Sequence, residues 1–564
     1  MRIAFLVAWG CWLACGAAMP SMAAENTPRL DRPQQVSQRH DSPQQDSQKH
    51  DWPQHDWPQW GGTLDRNMVS DAKNLPIRFD PSPNADPKTS GIKWSVKLGS
   101  HSYGNPVISG GKVFVGTNNA SPRDPKYSGD RNVLMCFNEA DGKFLWQLVV
   151  SKVQGEADYH ELGICSSPTI NGRRVYTVTS HCEILCLDAN GLYDGNDGPF
   201  VDEAQYLAKP IEHTLSIGPN GPIRKLVLAP PVKLGPTDAD ILWRYDLLTG
   251  QKVWPHDATS CSSLVYGDLV YFGTCNAKTQ HKYVPYPKAR SLIALNKLTG
   301  QLVAVDDADI GKGIFHGSWS SPSLGMVNGR PLIFYGGGDG RCYAFDPKPV
   351  PNPDPSKPAI LKNVWVCDCN PPDYRVKDGR PIVYRNRKGP SEVIGTPVSY
   401  NNRVYVTVGQ DPLHGSGVGC VTCIDATLKG DISASGRIWQ FRDIDRSLST
   451  VSIADGLLYV GDFSGVVHCL DLETGRQLWK HETESYMWGS TLVADGKVYF
   501  GDKTGTLWIL KAGREKQVLN QIKFSAPFCQ TPVVANGVLY ICTEERLYAI
   551  PTGAAAENPK PRSK

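Results

Sequence analysis

Short strand-like segments recur along the chain, each an alternation of β-branched or aromatic residues that follows a turn dipeptide. The segment reads GKVFVGT at 111–117, GDLVYFGT at 267–274 and DGKVYFGD at 495–502, and further copies begin at 171, 328, 401, 455 and 536. Most copies follow a short strand that starts near a Ser-Pro or Thr-Pro pair, and most are followed by a third strand. Because this alternation suits half-buried strands and the dipeptides suit tight turns, the pattern predicts successive antiparallel hairpins.

The third strand of each copy has a small or apolar residue at one fixed place, and the spacing of these places defines a repeat. The residues are Cys136, Cys186, Ala294, Ala344, Cys423, Cys469, Ile509 and Ala549. Apart from two longer gaps they are 40 to 50 residues apart, which is typical of a β-propeller with three or four short strands per unit. The longer gaps contain Pro- and Gly-rich insertions around 190–240 and 347–390, which we predict to be loops.

A fourth strand ends most units, and it often contains a tryptophan: Trp146, Trp243, Trp365, Trp439 and Trp479. The eighth unit has only three strands, while a strand around Trp94 stands before the first unit. We therefore predict an all-β, eight-bladed propeller with four-stranded antiparallel blades, in which the N-terminal strand closes the ring and so removes the exposed sheet edge.

The chain divides into four predicted parts. Residues 1–23 resemble a secretory signal peptide, with Arg2 before an apolar run that is short for a membrane span and small residues before the cleavage point at Ala23. A retained membrane anchor and a lipoprotein signal at Cys15 are the alternatives. Residues 24–55 form a low-complexity, disordered linker with three related decapeptides, 56–550 the propeller and 551–564 a flexible tail.

Composition fits a turn-rich globular protein, and the predicted signal peptide implies export to the periplasm or cell envelope. Glycine (54) and proline (43) make up about 17% of the 564 residues, above a usual ~12%. The net charge of +3 argues against nucleic-acid binding, and we expect no membrane span after signal removal and a monomer. Several of the 16 cysteines replace alanine in the repeat and are interpreted as packing residues, although Cys182, Cys275 and Cys542 could form disulfides.

A candidate binding site lies where the inner strands begin, because these starts converge on one mouth of the central channel. Cysteines and aromatic residues stand just before the inner strands, and polar residues lie close by. The candidates are His101, Tyr103, Cys165, Cys261, His316, Trp319, Glu392, Asp445, Arg446, Trp488 and Cys529. Aromatic walls with a few polar groups are typical of a ligand pocket, although the same side chains could simply fill the channel.

A candidate calcium site is the segment DANGLYDGNDGPFVDE at 188–203. Asp188, Asn190, Asp194 and Asn196 supply the oxygen ligands that Ca²⁺ prefers. The spacing differs from that of an EF-hand, and Asn-Gly and Asp-Gly also form ordinary turns.

The repeats resemble the PQQ-like propeller family, which includes quinoprotein dehydrogenases and BamB-like outer-membrane assembly factors. The resemblance covers about 56–550 and rests on LNKLTG (295–300), LDLETGRQLW (470–479), the G-x-V-Y strands and DWPQW at 56–60. It would imply PQQ on the axis, with a stacking Trp, a Ca²⁺ site, a carboxylate base and a disulfide between adjacent cysteines.

No two cysteines are adjacent in this chain, no C-x-x-C-H haem motif occurs, and the resemblance transfers no catalytic residue. We therefore predict a non-catalytic module that binds a protein, peptide or small molecule at the propeller face, with no cofactor assigned. The alternative is a PQQ-dependent oxidoreductase of alcohols or sugars, with PQQ and calcium as its cofactors.

Overall fold

Eight antiparallel sheets follow one another around a central channel, as the repeat predicts. The computed structural model describes residues 55–553. The predicted signal peptide, the linker up to residue 54 and the tail from residue 554 lie outside the described residues. In the part that is described, no helix is long and apolar enough to cross a bilayer.

The first four blades each run from an inner strand at the channel to an outer strand at the rim. Blade 1 consists of Val107–Ser109, Lys112–Asn118, Asn132–Asn138 and Phe144–Val150. Blade 2 consists of Thr169–Asn171, Arg174–Val178, Glu183–Asp188 and Ile241–Asp246. Blade 3 consists of Leu264–Tyr266, Leu269–Gly273, Leu292–Asn296 and Leu302–Asp306. Blade 4 consists of Ser323–Val327, Arg330–Gly336, Arg341–Phe345 and Asn363–Asp368.

The other four blades repeat the same order. Blade 5 consists of Val398–Tyr400, Arg403–Val408, Cys420–Asp425 and Arg437–Phe441. Blade 6 consists of Ser452–Ala454, Leu457–Gly461, Val466–Asp471 and Gln477–Glu482. Blade 7 consists of Leu492–Ala494, Lys497–Gly501, Thr506–Lys511 and Val518–Lys523. Blade 8 consists of Val533–Ala535, Val538–Cys542, Arg546–Pro551 and, as its outer strand, Trp94–Lys97.

The ring is closed by the N-terminal strand, which confirms the prediction. Trp94–Lys97 pairs antiparallel with Arg546–Pro551, the last strand of the described residues, and Trp94 lies opposite Ala549. The pairing gives blade 8 its fourth strand, so that no blade is left incomplete.

The two insertions are not plain loops, and that expectation was wrong in part. The first contains the hairpin Glu212–Gly218 and Gly221–Val227, and the second contains the hairpin Val376–Lys377 and Arg380–Pro381. Short strands also extend three blades: Val69–Ser70, Ala359–Leu361 and Gly430–Asp431. The short helices are Glu203–Tyr206, Leu247–Gln251 and Pro372–Arg375, with 3₁₀ turns at Gly191–Tyr193, Ile310–Gly313 and Pro412–His414. A segment rich in proline and glycine can therefore still contain short strands and helices, because these residues mark the turns between them.

The tryptophans of the outer strands join each blade to the next. Trp439 lies opposite the small anchor Cys423, and its indole N–H donates to the carbonyl of Leu472 in blade 6 at 3.1 Å. Its ring lies against Gly475, which has a φ of +69°. The same contact recurs at five other tryptophans, whose indoles donate to the following blade: Trp94, Trp146, Trp243, Trp365 and Trp479. The anchors are small because a large ring must pack on them.

The cysteines pack as predicted from the repeat. All the described cysteines are free, including Cys182, Cys275 and Cys542, and all but Cys165 are buried. Burial raises the pKa of Cys420 to about 12 and that of Cys275 to about 11, so both thiols stay protonated at neutral pH. A protonated buried thiol behaves as a small hydrophobic group.

One end of the channel is closed by residues 55–68, which we call the axial segment. This segment makes hydrogen bonds to the inner strand, or to a residue next to it, in each of the eight blades. The partners in blades 1 to 8 are Ile108, Ile170, Ser263, Leu324, Ser399, Ile453, Val493 and Asn536. Most of these bonds are between backbone groups, so the segment satisfies inner-strand edges that would otherwise face the channel.

Arg66 is the buried anchor of the axial segment. Its guanidinium donates to the carbonyls of Trp60 at 2.6 Å, Ser263 at 2.6 Å and Pro322 at 3.1 Å. Burial lowers the pKa of Arg66 to about 10, so the side chain remains charged at neutral pH. One side chain thus joins the segment to blades 3 and 4.

The contact between tryptophan and glycine can be tested by Gly475→Ala. A Cβ there would lie 2.5 Å from the Trp439 ring, while a Cβ on Gly496, with a similar φ of +65°, meets nothing within 4 Å. Each substitution incurs about 1–2 kcal/mol for a left-handed backbone. Gly475→Ala should lower the free energy of unfolding by about 1–3 kcal/mol more than Gly496→Ala. Equal shifts of the two urea midpoints would contradict the packing argument.

The role of Arg66 can be tested by Arg66→Lys. An ammonium cannot donate to three carbonyls in the planar geometry of the guanidinium, and each lost bond to a charged donor is worth about 1.5–3 kcal/mol. The variant should unfold at a clearly lower urea concentration, by about 3 kcal/mol or more in stability. The exposed Arg476→Lys is the matched control and should leave the midpoint unchanged. Equal midpoints would show that the anchor is dispensable.

Candidate functional site

The other end of the channel forms a blind cavity of about 400 Å³. Trp60 of the axial segment closes its base, where the indole N–H donates to the hydroxyl of Thr396 at 3.0 Å. Residues from the starts of the inner strands of all eight blades line the wall: Tyr103, Cys165, Ser262, Trp319, Ile394, Thr450, Trp488 and Cys529. The geometry therefore converts the central channel into a one-ended pocket.

A ring of hydroxyl groups surrounds the cavity at equivalent positions of successive blades. Backbone N–H groups donate to the hydroxyl of the next blade, as from Ser167 to Ser262 at 3.0 Å and from Thr450 to Ser490 at 2.9 Å. Three similar bonds start from Ser262, Thr396 and Ser490, while the N–H of Thr531 donates to the side-chain oxygen of Asn105 at 2.9 Å. A hydroxyl that accepts such a bond still has its own hydrogen to donate.

Aromatic rings cover part of the wall above the hydroxyl ring. The Tyr103 and Trp488 centroids are 5.5 Å apart, and His101 stacks on Tyr103 at 6.3 Å. The Lys503 ammonium lies 5.7 Å from the centre of the Trp488 ring. Trp319 lines the cavity from blade 4. These faces offer flat apolar surface to a ligand.

The structure puts the predicted binding residues in four kinds of place, of which the last, the polar cluster with His316 and Glu392, is described below. Tyr103, Cys165, Trp319, Trp488 and Cys529 line the cavity. His101 and Cys261 lie behind it, the latter buried, with its sulfur accepting from the Gly273 N–H at 3.0 Å. Asp445 and Arg446 hold the turn after Pro412–His414, since Arg446 donates to the carbonyls of His414, Gly415 and Asn386.

His316 and Glu392 belong to a polar cluster on one side of the cavity mouth. The His316 ring centre lies 4.7 Å from that of His256 and 5.3 Å from that of His414. Its Nε2 is 3.6 Å from a carboxylate oxygen of Asp411. Asp257 lies beside His256, and both Asp257 and Asp411 also line the cavity. Three loops from blades 3, 4 and 5 bring these groups together.

Burial controls the charge of this cluster. It lowers the pKa of His256 and of His414 to about 4, so both imidazoles are neutral at neutral pH. Burial and the adjacent carboxylate of Asp411 raise the pKa of Asp257 to about 6. Burial also raises the pKa of Glu392 to about 8, and its Oε1 accepts from the Tyr384 hydroxyl at 2.7 Å.

The sequence reasoning missed Trp60, His256, Asp257, Asp411 and His414. Trp60 is part of the DWPQW motif, and nothing in that motif indicates that the residue lies at the base of the channel. His256 and Asp257 stand a few residues before the inner strand of blade 3, as His316 does in blade 4, so the same rule could have found them. Asp411 and His414 follow a second strand, and the repeat gives no signal for them.

The comparisons with known proteins agree with this architecture. A family model described as outer membrane protein assembly factor BamB matches residues 84–193, 419–517 and 464–556. This match covers less than half of the chain and supports the predicted resemblance to the PQQ-like β-propeller family. No curated protein matches it.

Among solved structures, a europium-containing methanol dehydrogenase aligns with a TM-score of 0.52 at 12% identity, over 88% of this chain and 98% of that one. BamB from Moraxella catarrhalis aligns at 0.46 and 13% identity, over 81% and 98% of the two chains. The quinohemoprotein alcohol dehydrogenase from Comamonas testosteroni aligns at 0.44 and 14%, over 90% and 82%. At 12% identity the likeness to the methanol dehydrogenase concerns the fold alone.

The cavity of this PQQ-like propeller is a poor match for PQQ itself. PQQ is a planar quinone with several carboxyl groups, so its site needs cationic partners. None of the described residues that line the cavity is a lysine, arginine or histidine, while Asp257 and Asp411 add negative charge. Trp319 or Trp488 could stack on a planar ring, but the side chains of the wall supply no positive charge themselves, so a polyanion would need a cation bound at Asp257 and Asp411.

The carboxylates of the predicted calcium segment already have a cationic partner, the side chain of Arg173. The Arg173 guanidinium lies 3.2 Å from Asp188, 2.8 Å from Asp194 and 3.1 Å from Asp197. Asn190 donates to Asp194 at 2.9 Å. Calcium binding by Asp188, Asn190, Asp194 and Asn196 stays a prediction, and Ca²⁺ would have to compete with Arg173 for these carboxylates.

The protonation of Glu392 predicts a pH dependence of stability. An unfolded glutamate titrates near ~4.3, whereas the folded group titrates at about 8. Between these values the folded state binds more protons, so this contribution to stability is complete below about pH 4 and is lost as the pH rises towards 8. In Glu392→Gln, which cannot ionise, the free energy of unfolding should exceed the parent's by a margin that grows over this range.

Urea unfolding at several pH values measures this margin. The exposed Glu484→Gln is the control, and its curve should run parallel to that of the parent. A parallel curve for Glu392→Gln as well would show that the Glu392 carboxyl does not keep its proton on folding.

Proposed function

We propose that this chain is an exported, non-catalytic binding propeller whose axial cavity takes a small, uncharged ligand with hydroxyl groups, of the mono- or disaccharide class. The observation that carries the proposal is the closed base: Trp60 and the axial segment make the channel a one-ended pocket. A cavity of about 400 Å³ lies within the usual size range of small-molecule sites.

The chemistry of the wall supports this ligand class. Trp488, Tyr103 and Trp319 offer flat faces for the apolar side of a ring. Ser262, Thr450 and Ser490 keep a hydroxyl hydrogen to donate after accepting from the neighbouring blade. The hydroxyl oxygen of Ser167, which also lines the cavity, is buried without a hydrogen-bond partner. Asp257 and Asp411 can accept hydrogen bonds from ligand hydroxyls.

Export to the periplasm or cell envelope is part of the proposal and rests on the predicted signal peptide. Binding of a protein partner at a propeller face, the other half of the sequence prediction, stays a prediction. Exposed apolar side chains on and beside the Glu212–Val227 hairpin, such as Ile211, Ile223 and Leu226, offer apolar surface for such a partner. The oxidoreductase alternative would need a bound cation to offset the negative charge of Asp257 and Asp411.

Binding can be tested by calorimetry with glucose, N-acetylglucosamine, cellobiose and maltose as probes. At least one should bind, and Trp488→Leu should weaken that binding about tenfold because a stacked face is worth about 0.5–1.5 kcal/mol beyond its area. The matched control is Tyr193→Leu, since Tyr193 is 81% exposed and lies outside the cavity lining. Control and parent should bind alike.

The oxidoreductase alternative is tested on the same samples with PQQ, Ca²⁺ and an electron-accepting dye. We expect neither PQQ binding nor dye reduction with alcohols or sugars. Stoichiometric PQQ binding that Trp488→Leu weakens, with no sugar bound, would overturn the proposal.

A further inference from the structure

The polar cluster at the cavity mouth has the composition and spacing of a metal site. One ligand atom each from His256, Asp257 and His316 lies within 4.8 Å of the others. Tetrahedral coordination with bonds of about 2.0–2.1 Å needs ligand atoms about 3.3 Å apart, so side-chain rotations of about 1.5 Å would close the set. Asp411 stands 3.6 Å from His316 and can provide a further oxygen.

The cluster is short of positive charge at its centre. Two carboxylates, Asp257 and Asp411, share a single basic partner, His316, and the Glu156 carboxylate lies 3.9 Å from Nδ1 of His256. Like charges this close cannot both ionise without a counter-charge. Arg385 and Arg446 influence His256 and His414 only through their charge. The Arg446 guanidinium itself donates its hydrogen bonds to backbone carbonyls. A divalent cation between the carboxylates would balance them.

One histidine of the set has a ring nitrogen without a partner. Nδ1 of His256 is buried and makes no hydrogen bond, and Nε2 of the same ring is 3.7 Å from an oxygen of Asp257. A buried polar atom without a partner is costly, and such atoms in a native structure call for an explanation. Neutral imidazole is the form that binds metals, and two imidazoles with a carboxylate suit Zn²⁺ and similar ions rather than Ca²⁺.

An entry path is present on both sides of the cluster. Asp257 and Asp411 face the axial cavity, and His256 and Asp257 also line a second cavity of about 740 Å³ between blades 1 to 3. An ion could therefore reach the histidines from solvent without unfolding a blade, and a coordination position could remain open towards the axial cavity.

We propose that His256, Asp257 and His316 bind one divalent first-row transition ion at the mouth of the axial cavity, with Asp411 as a fourth ligand. Its place on the wall would let the ion contact a ligand in the cavity. The metal site does not depend on the sugar proposal, because it is defined by protein groups alone.

The test is a titration of the chelator-treated full chain with Co²⁺ and then Zn²⁺, with no organic ligand added. Four-coordinate Co²⁺ gives strong visible bands, and we expect one equivalent that Zn²⁺ displaces. His256→Gln/His316→Gln should abolish these bands, and Asp257→Asn should weaken Zn²⁺ binding roughly 10–100-fold in competition with a chelator. Zn²⁺ should also raise the thermal midpoint of the parent but not of the double variant.

Matched controls separate this site from other histidines. His40→Gln/His50→Gln, the leader variant, removes two histidines of the predicted linker at 24–55. His160→Gln removes an exposed histidine, with 74% of its side chain accessible. All three of these histidines should be dispensable for the Co²⁺ bands. Bands that survive in the His256/His316 variant, or that vanish in the leader variant, would overturn the proposal. If the double variant does not fold, unchanged Zn²⁺ affinity in the folded Asp257→Asn variant would overturn it equally.

Discussion

The pairing of the axial segment with the inner strands is the constraint on which the rest of this molecule depends. A propeller blade has two edges, and its inner edge faces the channel with backbone groups that need partners. In this chain residues 55–68 supply partners to all eight blades, from His55 at blade 8 to Met68 at blade 7. The same segment carries Trp60, so the element that satisfies the inner edges also makes the base of the cavity. One stretch of chain therefore contributes both to the stability of the propeller and to the shape of the axial cavity.

The repeat was predictable because its causes are local. A tight turn, an alternating strand and a small anchor opposite a tryptophan lie within a few dozen residues, and each can be seen without knowing the fold. Cys423 opposite Trp439 and Ala549 opposite Trp94 follow one packing rule, although one pair is close in sequence and the other pair is more than 450 residues apart. Ring closure followed from counting strands, since the eighth unit was one short.

The candidate site was only partly predictable, because it depends on which loops meet. The rule that inner-strand starts converge placed Tyr103, Trp319 and Trp488 at the cavity, where the structure also has them. The rule could not say that Asp411 and His414 reach the same place, since they follow a second strand and are carried there by a 3₁₀ turn. Nor could it separate Arg446, which supports that turn through backbone carbonyls, from residues that face the cavity. Contacts between loops of different blades depend on loop length and path, which the repeat pattern does not contain.

The position of the polar cluster has a consequence for selectivity. The hydroxyl ring and the inner strands approximate an eightfold arrangement, and such a wall presents nearly the same groups in every direction. A ligand bound only by that wall could rotate about the axis with little change in energy. His256, Asp257, His316 and Asp411 break the symmetry, because they put buried charge and imidazole nitrogen on the side formed by blades 3 to 5 alone. Buried charged groups are costly when they are unbalanced, so the cavity is most stable when something on that side completes their interactions. Since an ion or an oriented ligand hydroxyl would do so in only one rotational setting, the cluster is what gives the cavity a preferred direction.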